Sequence, residues 1–316
     1  MSWLFIGPTL LAGIGQVTKK YLNLLQRNNI EVEYVQFGQT PLKQKYDRGF
    51  AFVLPIEAQL IFVDEYAKLC GHVIFMTVCE TLTVHPTYEL LEKYKTIYCP
   101  SEFSRDVLAK QFPKTEWKLL RHYAAPKALV IPASSKYVFY TIGNAHDPRK
   151  NLKDLVYAFM ECGFGDAAHL IIKATTIEVV DWKANGLTVI NGLLSDEDLE
   201  KVHNGCHCYV NCSHSEGVGM GAVEAAMRSK PVIISDFGGL KEYVKTPWVI
   251  PAPVGKIGFD DFLFTKDLEW GYPSKEELKR CMKECFDQRV THWDHSHTRA
   301  IMSDLEGLSW CTIEEH

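Results

Sequence analysis

Ser213-His214-Ser215-Glu216-Gly217-Val218-Gly219-Met220-Gly221-Ala222-Val223-Glu224-Ala225-Ala226 is the stretch whose reading decides the fold. The apolar residues 206–210 before it read as a buried strand, and the small, helix-forming residues 222–228 after it as a helix. The pattern is strand, glycine-bearing turn, helix N-terminus. Such a turn presents free backbone N–H groups and the positive end of a helix dipole to an anion. Gly219 and Gly221 would let a ligand approach the main chain closely.

Glu216 lies in the turn and Glu224 about two helical turns further on. Acids beside a phosphate site make sense when the ligand also carries hydroxyls, because an ionised carboxylate only accepts hydrogen bonds. A phosphate flanked by sugar hydroxyls on both sides is a nucleotide sugar.

Glu216 and Glu224, with seven residues between them and with Gly217 and Gly219 after the first, resemble the E-x7-E element of family-four retaining glycosyltransferases. Downstream, Lys230-Pro231-Val232-Ile233-Ile234 and Gly238-Gly239-Leu240-Lys241-Glu242 are similar to that family's strand and GG-x-x-E segment. Upstream, Tyr140-Thr141-Ile142-Gly143, Asp147-Pro148-Arg149-Lys150-Asn151-Leu152 and an amphipathic run to Phe159 resemble the first strand, phosphate loop and helix of its donor domain. The resemblance covers residues 138–245 well and the N-terminal half weakly.

It implies an α/β chain of GT-B architecture, two Rossmann-like domains with parallel sheets facing across a cleft. Expected are an acceptor domain over residues 1–132, a nucleotide-sugar donor domain over 133–290, and a helical segment over 291–316 crossing back to the first domain. Residues 124–135, with Pro126, Pro132 and two serines, form the expected linker.

With 316 residues the chain is long enough for two cores. Net charge is −5, which argues against nucleic acid as a partner. Residues 1–12 are apolar but contain Gly7 and Pro8 and lack a basic start, so they read as a first strand and turn rather than a signal peptide. Ten cysteines without a secretory signal imply free thiols in a reducing compartment. The expectation is a cytoplasmic enzyme with at most peripheral contact on a membrane's cytoplasmic face. Cys206, Cys208, Val210 and Cys212 alternate as buried strand residues do, and with His207 and His214 they lack the paired spacing of a zinc site. No metal is expected.

Trp3-Leu4-Phe5-Ile6 reads as a buried strand, residues 7–15 as a long turn, and 16–27 as a helix burying Val17, Tyr21, Leu24 and Leu25. Gly13 and Gly15 are not followed by the third glycine of a dinucleotide fingerprint, which argues against a dehydrogenase. Strands are expected over 31–37, 50–54, 73–78, 96–99, 169–174 and 187–190, with N-caps at Ser101, Ser195 and Ser274.

The resemblance also implies roles. Lys150 binds the diphosphate. Glu216 holds the transferred sugar, and these two are the catalytic pair. Glu224 holds the ribose, and the amides of Gly219, Met220 and Gly221 stabilise the leaving phosphates. Gly15, Gly143, Asn144, Lys173 and Leu193 complete the donor-binding set, Leu193 beside the base. Asn144 stands where the family usually has arginine, which removes a positive charge; Lys173 is a candidate to supply one. Arg149 is expected to point elsewhere. Glu80 and His85 are acceptor-side candidates, though Glu80 stands where a histidine is more usual.

The implied reaction moves a mannose-like or glucose-like hexose from a nucleotide diphosphate sugar to a glycan, lipid or other hydroxyl acceptor. Configuration is retained and no cofactor or metal is required. The donor is GDP- or UDP-linked, with a slight lean to GDP-mannose. A catalytically degenerate nucleotide-sugar-binding or partner-binding protein of the same fold is the alternative, and Asn144 is its best support.

Overall fold

The computed structural model describes residues 1–10, 13–43, 45–176, 178–261 and 263–312. Leu11 and Ala12 of the expected first turn, and residues 313–316 of the expected terminal segment, lie outside the described residues. The chain divides into two compact units. The first comprises Met1–Tyr123, Ile257–Leu268 and the chain from Met302 onward; the second comprises Ala124–Lys256 and Glu269–Ile301.

In the first unit the chain runs β1 (Ser2–Gly7), α1 (Ile14–Arg27), β2 (Glu31–Gln36), β3 (Tyr46–Phe52), α2 (Glu57–Ala67), β4 (Cys70–Met76), β5 (Thr96–Cys99), α3 (Glu102–Gln111) and β6 (Glu116–Leu119). The strands form one sheet in the order β2-β1-β3-β4-β5-β6, every pairing parallel. A parallel sheet is covered on both faces, so its strands read as continuous apolar runs. Leu4 and Ile6 of β1 join a core with Val35, Val53, Leu60, Ile97 and Trp117. Phe5 stacks on Phe50 at 4.9 Å. The Trp310 ring lies 5.6 Å from that of Trp3 and 5.2 Å from that of Tyr21.

Helix α1 buries the four expected residues. It starts two residues earlier than expected, at Ile14, with Gly13 before it at φ 54°. Ser101 caps α3, as its position predicts, by accepting from the Ser104 amide at 3.3 Å. Ser104 is fully buried. Its hydroxyl donates to the Cys79 carbonyl at 2.8 Å and accepts from the Cys79 amide at 3.3 Å. Ser104→Ala strands those backbone groups and should cost about 1–3 kcal/mol, read as a lower urea midpoint at unchanged slope.

The second unit begins with residues 124–135. The stretch expected as a linker lies along this unit. The Lys127 amide donates to the Met227 carbonyl at 3.2 Å, and the buried Lys230 ammonium donates to the carbonyl of Val130 at 3.1 Å. Then come β7 (Tyr137–Gly143), α4 (Leu152–Cys162), β8 (Ala168–Ala174), β9 (Leu187–Ile190), α5 (Asp196–Asn204), β10 (Cys208–Asn211), α6 (Met220–Ala226), β11 (Val232–Ser235), α7 (Leu240–Tyr243) and β12 (Val249–Ile250). An antiparallel pair, β13 (Val254–Lys256) and β14 (Glu269–Gly271), follows, with α8 (Lys275–Asp287) and α9 (Ser296–Glu306) after it.

The second sheet has the order β12-β11-β10-β7-β8-β9, again all parallel. Strand β10 shows the expected alternation. Cys208, Val210 and Cys212 enter the core with Phe139, Leu170 and Ile233. Tyr209, on the opposite face, packs 5.0 Å from Tyr140.

Candidate functional site

In the second sheet the chain starts at β7, steps outward through β8 and β9, then returns to the other side of β7 at β10. This is the doubly wound order whose direction reverses at its centre. Ligands bind such sheets beyond the carboxyl ends of the strands, at the point of reversal. Two loops flank that point: residues 144–151 after β7 and 212–219 after β10. They carry Lys150 and Glu216.

Glu216 is buried, at 5% exposure. Its Oε1 accepts from Lys150 Nζ at 2.6 Å, Ser213 Oγ at 2.8 Å and Asn211 Nδ2 at 3.3 Å. Its Oε2 accepts from Arg149 Nη1 at 3.2 Å. Burial alone would push this carboxyl up, but Lys150 and Arg149 beside it outweigh that and hold it well below the usual carboxylate range. A native carboxylate with a depressed pKa contributes stability above its unfolded pKa, about 4.3, and loses it as pH falls toward the native value. The stability gap between wild type and Glu216→Gln should therefore be full at neutral pH and close on acidification below about pH 5. Urea denaturation at stepped pH measures it, and a constant gap would contradict an ionised Glu216.

The expectation for Arg149 is corrected. A short 3-10 turn, Pro148–Lys150, is capped by Asp147, whose carboxylate accepts from the Arg149 amide at 2.9 Å and from Nη2 at 3.0 Å. That grip turns the guanidinium back toward Glu216, where Nη1 also donates to the Ser215 carbonyl at 2.9 Å. Two cations and two carboxylates thus share one cluster.

The loop after β10 is held from several sides. The Ser213 carbonyl accepts from Ser235 Oγ at 2.7 Å. The His214 amide donates to the Arg149 carbonyl at 2.8 Å, joining the two loops directly. The His214 ring stacks on Trp270 at 4.8 Å, and its Nδ1 donates to the Gly271 carbonyl at 2.8 Å. Sequence reasoning missed the packing of His214 on Trp270 because β14 lies 55 or more positions further along the chain; His214 and Gly271 are 57 residues apart. Ser213 and Asn211 carried a signal: they are polar residues at the end of an apolar strand.

Gly219 precedes α6 at φ 74°, a conformation that favours glycine. Gly221 has a reason in the protein's own packing as well: a Cβ there would meet the Tyr209 hydroxyl at 2.2 Å. The Ala222 amide is already bonded to the Gly219 carbonyl at 2.9 Å, while the amides of Met220 and Gly221 stand at the helix start, where helical N–H groups have no helical acceptor.

Glu224 on α6 lies 3.4 Å from Nε2 of His203 on α5. His203 is fully buried, and burial lowers its pKa more than Glu224 raises it. Its Nδ1 is 2.8 Å from the Tyr140 hydroxyl. A neutral ring that keeps its proton on Nε2, facing Glu224, accepts from the Tyr140 hydroxyl at Nδ1.

The remaining donor-side residues fall at the same strand ends. Gly143 ends β7, and a Cβ on it would sit 3.6 Å from Lys150 Cγ. Asn144 is exposed, and its Oδ1 accepts from the His146 amide at 3.0 Å. Lys173 does not supply the charge expected of it: it is buried, and its ammonium donates to the carbonyls of Ala174 and, at 2.7 Å, Gly192. It thereby braces the loop on which Leu193 is exposed.

Gly15, Glu80 and His85 belong to the first unit. Gly15 lies inside the first turn of α1, where a Cβ would meet the Thr9 carbonyl oxygen at 1.8 Å. Glu80 is half-buried after β4. His85 caps a 3-10 turn, Pro86–Lys93, its Nδ1 accepting from the Thr87 amide at 3.2 Å.

Residues 184–247 match the family described as Glycosyl transferases group 1. The sequence matches no curated protein. Among solved structures the chain is similar to a sucrose-phosphate synthase from Thermosynechococcus elongatus, with 11% identity, TM-score 0.61, and 98% of this chain and 99% of that one covered. It is also similar to a structure described as trehalose-6-phosphate from E. coli bound with UDP-2-fluoro glucose, with 11% identity, TM-score 0.62, and 98% and 96% covered. A third is WaaG, a glycosyltransferase involved in lipopolysaccharide biosynthesis, with 10% identity, TM-score 0.55, and 99% and 96% covered. The fold is the GT-B fold over nearly the whole chain, and the segment that carries Glu216 and Glu224 is the one that matches group 1 glycosyltransferases.

Proposed function

We propose that this chain is a retaining glycosyltransferase that moves a hexose from a nucleotide diphosphate sugar to a hydroxyl of a glycan, lipid or small-molecule acceptor. The observation that carries the proposal is the buried Glu216 carboxylate, gripped by Lys150 and Arg149 where the second sheet reverses direction. In this reading Glu216 accepts hydrogen bonds from the sugar. Lys150 and the amides at the start of α6 take the charge that develops on the diphosphate. Arg149 supplies the second cation in place of the arginine that Asn144 replaces. Glu224 accepts from the ribose hydroxyls.

The acceptor hydroxyl attacks from the leaving-group face, the sugar–phosphate bond breaks, and the departing diphosphate takes the acceptor's proton. No protein nucleophile is needed, and the family resemblance implies no metal. Uracil is the base to test first, because a similar fold is described with UDP-2-fluoro glucose bound; guanine, the slight lean above, has no single residue behind it. The chain's cysteines, free thiols in the fold, support a reducing, cytoplasmic setting.

A binding protein without turnover is the second reading. Asn144 favours it, and so does the pairing of Lys150 with Glu216, which the donor's phosphates must share. Release of UDP or GDP from the corresponding glucose and mannose donors, without acceptor, separates the two. Slow release abolished by Glu216→Ala supports the enzyme. Donor binding with no release, with or without a panel of hydroxyl acceptors, supports the binder.

A further inference from the structure

A cavity opens between the loop after β7 and the loop after β8. Its volume is about 510 Å³, and His146, Asp147, Lys153, Asp154 and Trp182 are among the residues that line it; Lys150 and Glu216 are not. That size suits a small organic ligand. Trp182 is half-buried and packs partly against the core of the second unit, so the indole is anchored while it lines the cavity.

The charges around it cancel. Asp147 is paired with Arg149 at 3.0 Å. Lys153 and Asp154 are neighbours of opposite sign that both line the cavity. A nucleotide or free phosphate would meet the carboxylates of Asp147 and Asp154 against the one lysine of the lining, Lys153. An apolar ligand would have to desolvate both charges. A ligand that presents hydroxyls, each able to donate and to accept, satisfies an ammonium and a carboxylate at once, and a sugar ring also offers a face of C–H groups to an indole.

We propose that this cavity is a saccharide-binding subsite distinct from the Lys150–Glu216 cluster. It takes a neutral hexose or disaccharide unit of a glycan, with Trp182 as the stacking surface and Lys153 and Asp154 as the hydrogen-bonding pair. This goes beyond the donor reading and does not depend on it.

Saturation-transfer NMR on the full chain tests the subsite, with methyl α-glucoside, methyl α-mannoside and maltose as probes at up to about 20 mM, well above a millimolar Kd. At least one probe should show transfer to its ring protons. Trp182→Ala should raise the Kd read from the concentration dependence of that signal at least about tenfold, the equivalent of 1.4 kcal/mol. Because Trp182 contributes to the core, the surface variant Lys153→Ala/Asp154→Ala, which removes both hydrogen-bonding groups, is run beside it and should also lose the signal. Glu224→Ala, in the candidate donor site, should keep it. No transfer with any of the three probes, transfer that survives the Lys153/Asp154 change, or transfer lost in Glu224→Ala would each overturn the proposal. Nucleotide binding measured on the same samples reports the donor site separately.

Discussion

Lys150→Ala should lower sugar transfer by about 10²–10³-fold, the loss expected when one preorganised charge-stabilising donor is removed from a developing oxyanion. Lys150 reaches Glu216 at 2.6 Å with its side chain only 19% exposed, so its charge acts in a partly desolvated setting. In the proposed reaction that ammonium serves two partners, holding Glu216 and meeting the diphosphate as it leaves. Alanine removes both services. The substitution also leaves a buried carboxylate with one cation fewer, and breaking one side of a buried ion pair costs about 3–5 kcal/mol where no other partner remains. Arg149, Ser213 and Asn211 remain here, so the stability loss should fall below that range. The two effects separate experimentally. Transfer is measured at a temperature where circular dichroism shows the variant folded. Lys150→Arg should keep most of the stability and recover little of the activity, because a planar fork does not reproduce a point charge at that position. Transfer within about threefold of wild type would remove Lys150 from the chemistry.

Gly238→Ala should destabilise the protein by about 2–4 kcal/mol through a strained backbone and an overpacked contact. Gly238 has φ 81°, a conformation an L-residue rarely adopts. Its absent Cβ would lie 2.5 Å from the Glu216 carbonyl oxygen and 3.1 Å from the Glu216 amide. These are backbone atoms, and the Gly239 amide already holds that carbonyl at 2.8 Å. Relief therefore requires the loop after β10 to move, and the Glu216 carboxylate moves with it. Gly238→Ala should accordingly lower the urea midpoint and, in the fraction that remains folded, raise the donor's Kd. Gly239→Ala is the matched control: Gly239 has φ −79° and would take a methyl group without left-handed strain. Equal losses in the two variants would show that the strain at residue 238 is not what positions Glu216.

The parts of the fold that could be read in the sequence are those set by local pattern. Trp3-Leu4-Phe5-Ile6 and Leu170-Ile171-Ile172 are apolar without interruption because both sheet faces are covered, and both lie in strands. Residues 206–212 alternate, and the strand found there starts at Cys208 rather than Cys206. Ser101, Ser195 and Ser274 cap the helices they precede because a cap is a contact across three residues.

What escaped reading depends on pairing across the chain. The strand order that places the loops after β7 and β10 side by side is not written in either loop. Strand β6 is short and mixed in polarity, Glu116-Trp117-Lys118-Leu119, and takes its identity from β5. The direction of Arg149 depends on Asp147 both capping the turn and gripping the guanidinium. The need of Gly221 for room beside the Tyr209 hydroxyl is set by a strand twelve residues earlier and leaves no mark on its own letter. Lys173 looked like a spare cation because burial against two carbonyls leaves no mark on its neighbours in sequence.

The most direct test of a nucleotide-sugar site at the Glu216 turn is the melting temperature of wild type and Glu224→Ala with rising UDP, GDP and their glucose and mannose conjugates. A ligand that binds only the folded state stabilises it by about 2.7 kcal/mol at a hundredfold excess over its Kd. The account predicts a concentration-dependent rise with one base in wild type and its loss in Glu224→Ala. No rise with any of these ligands at millimolar concentration, or an equal rise in both proteins, would contradict it.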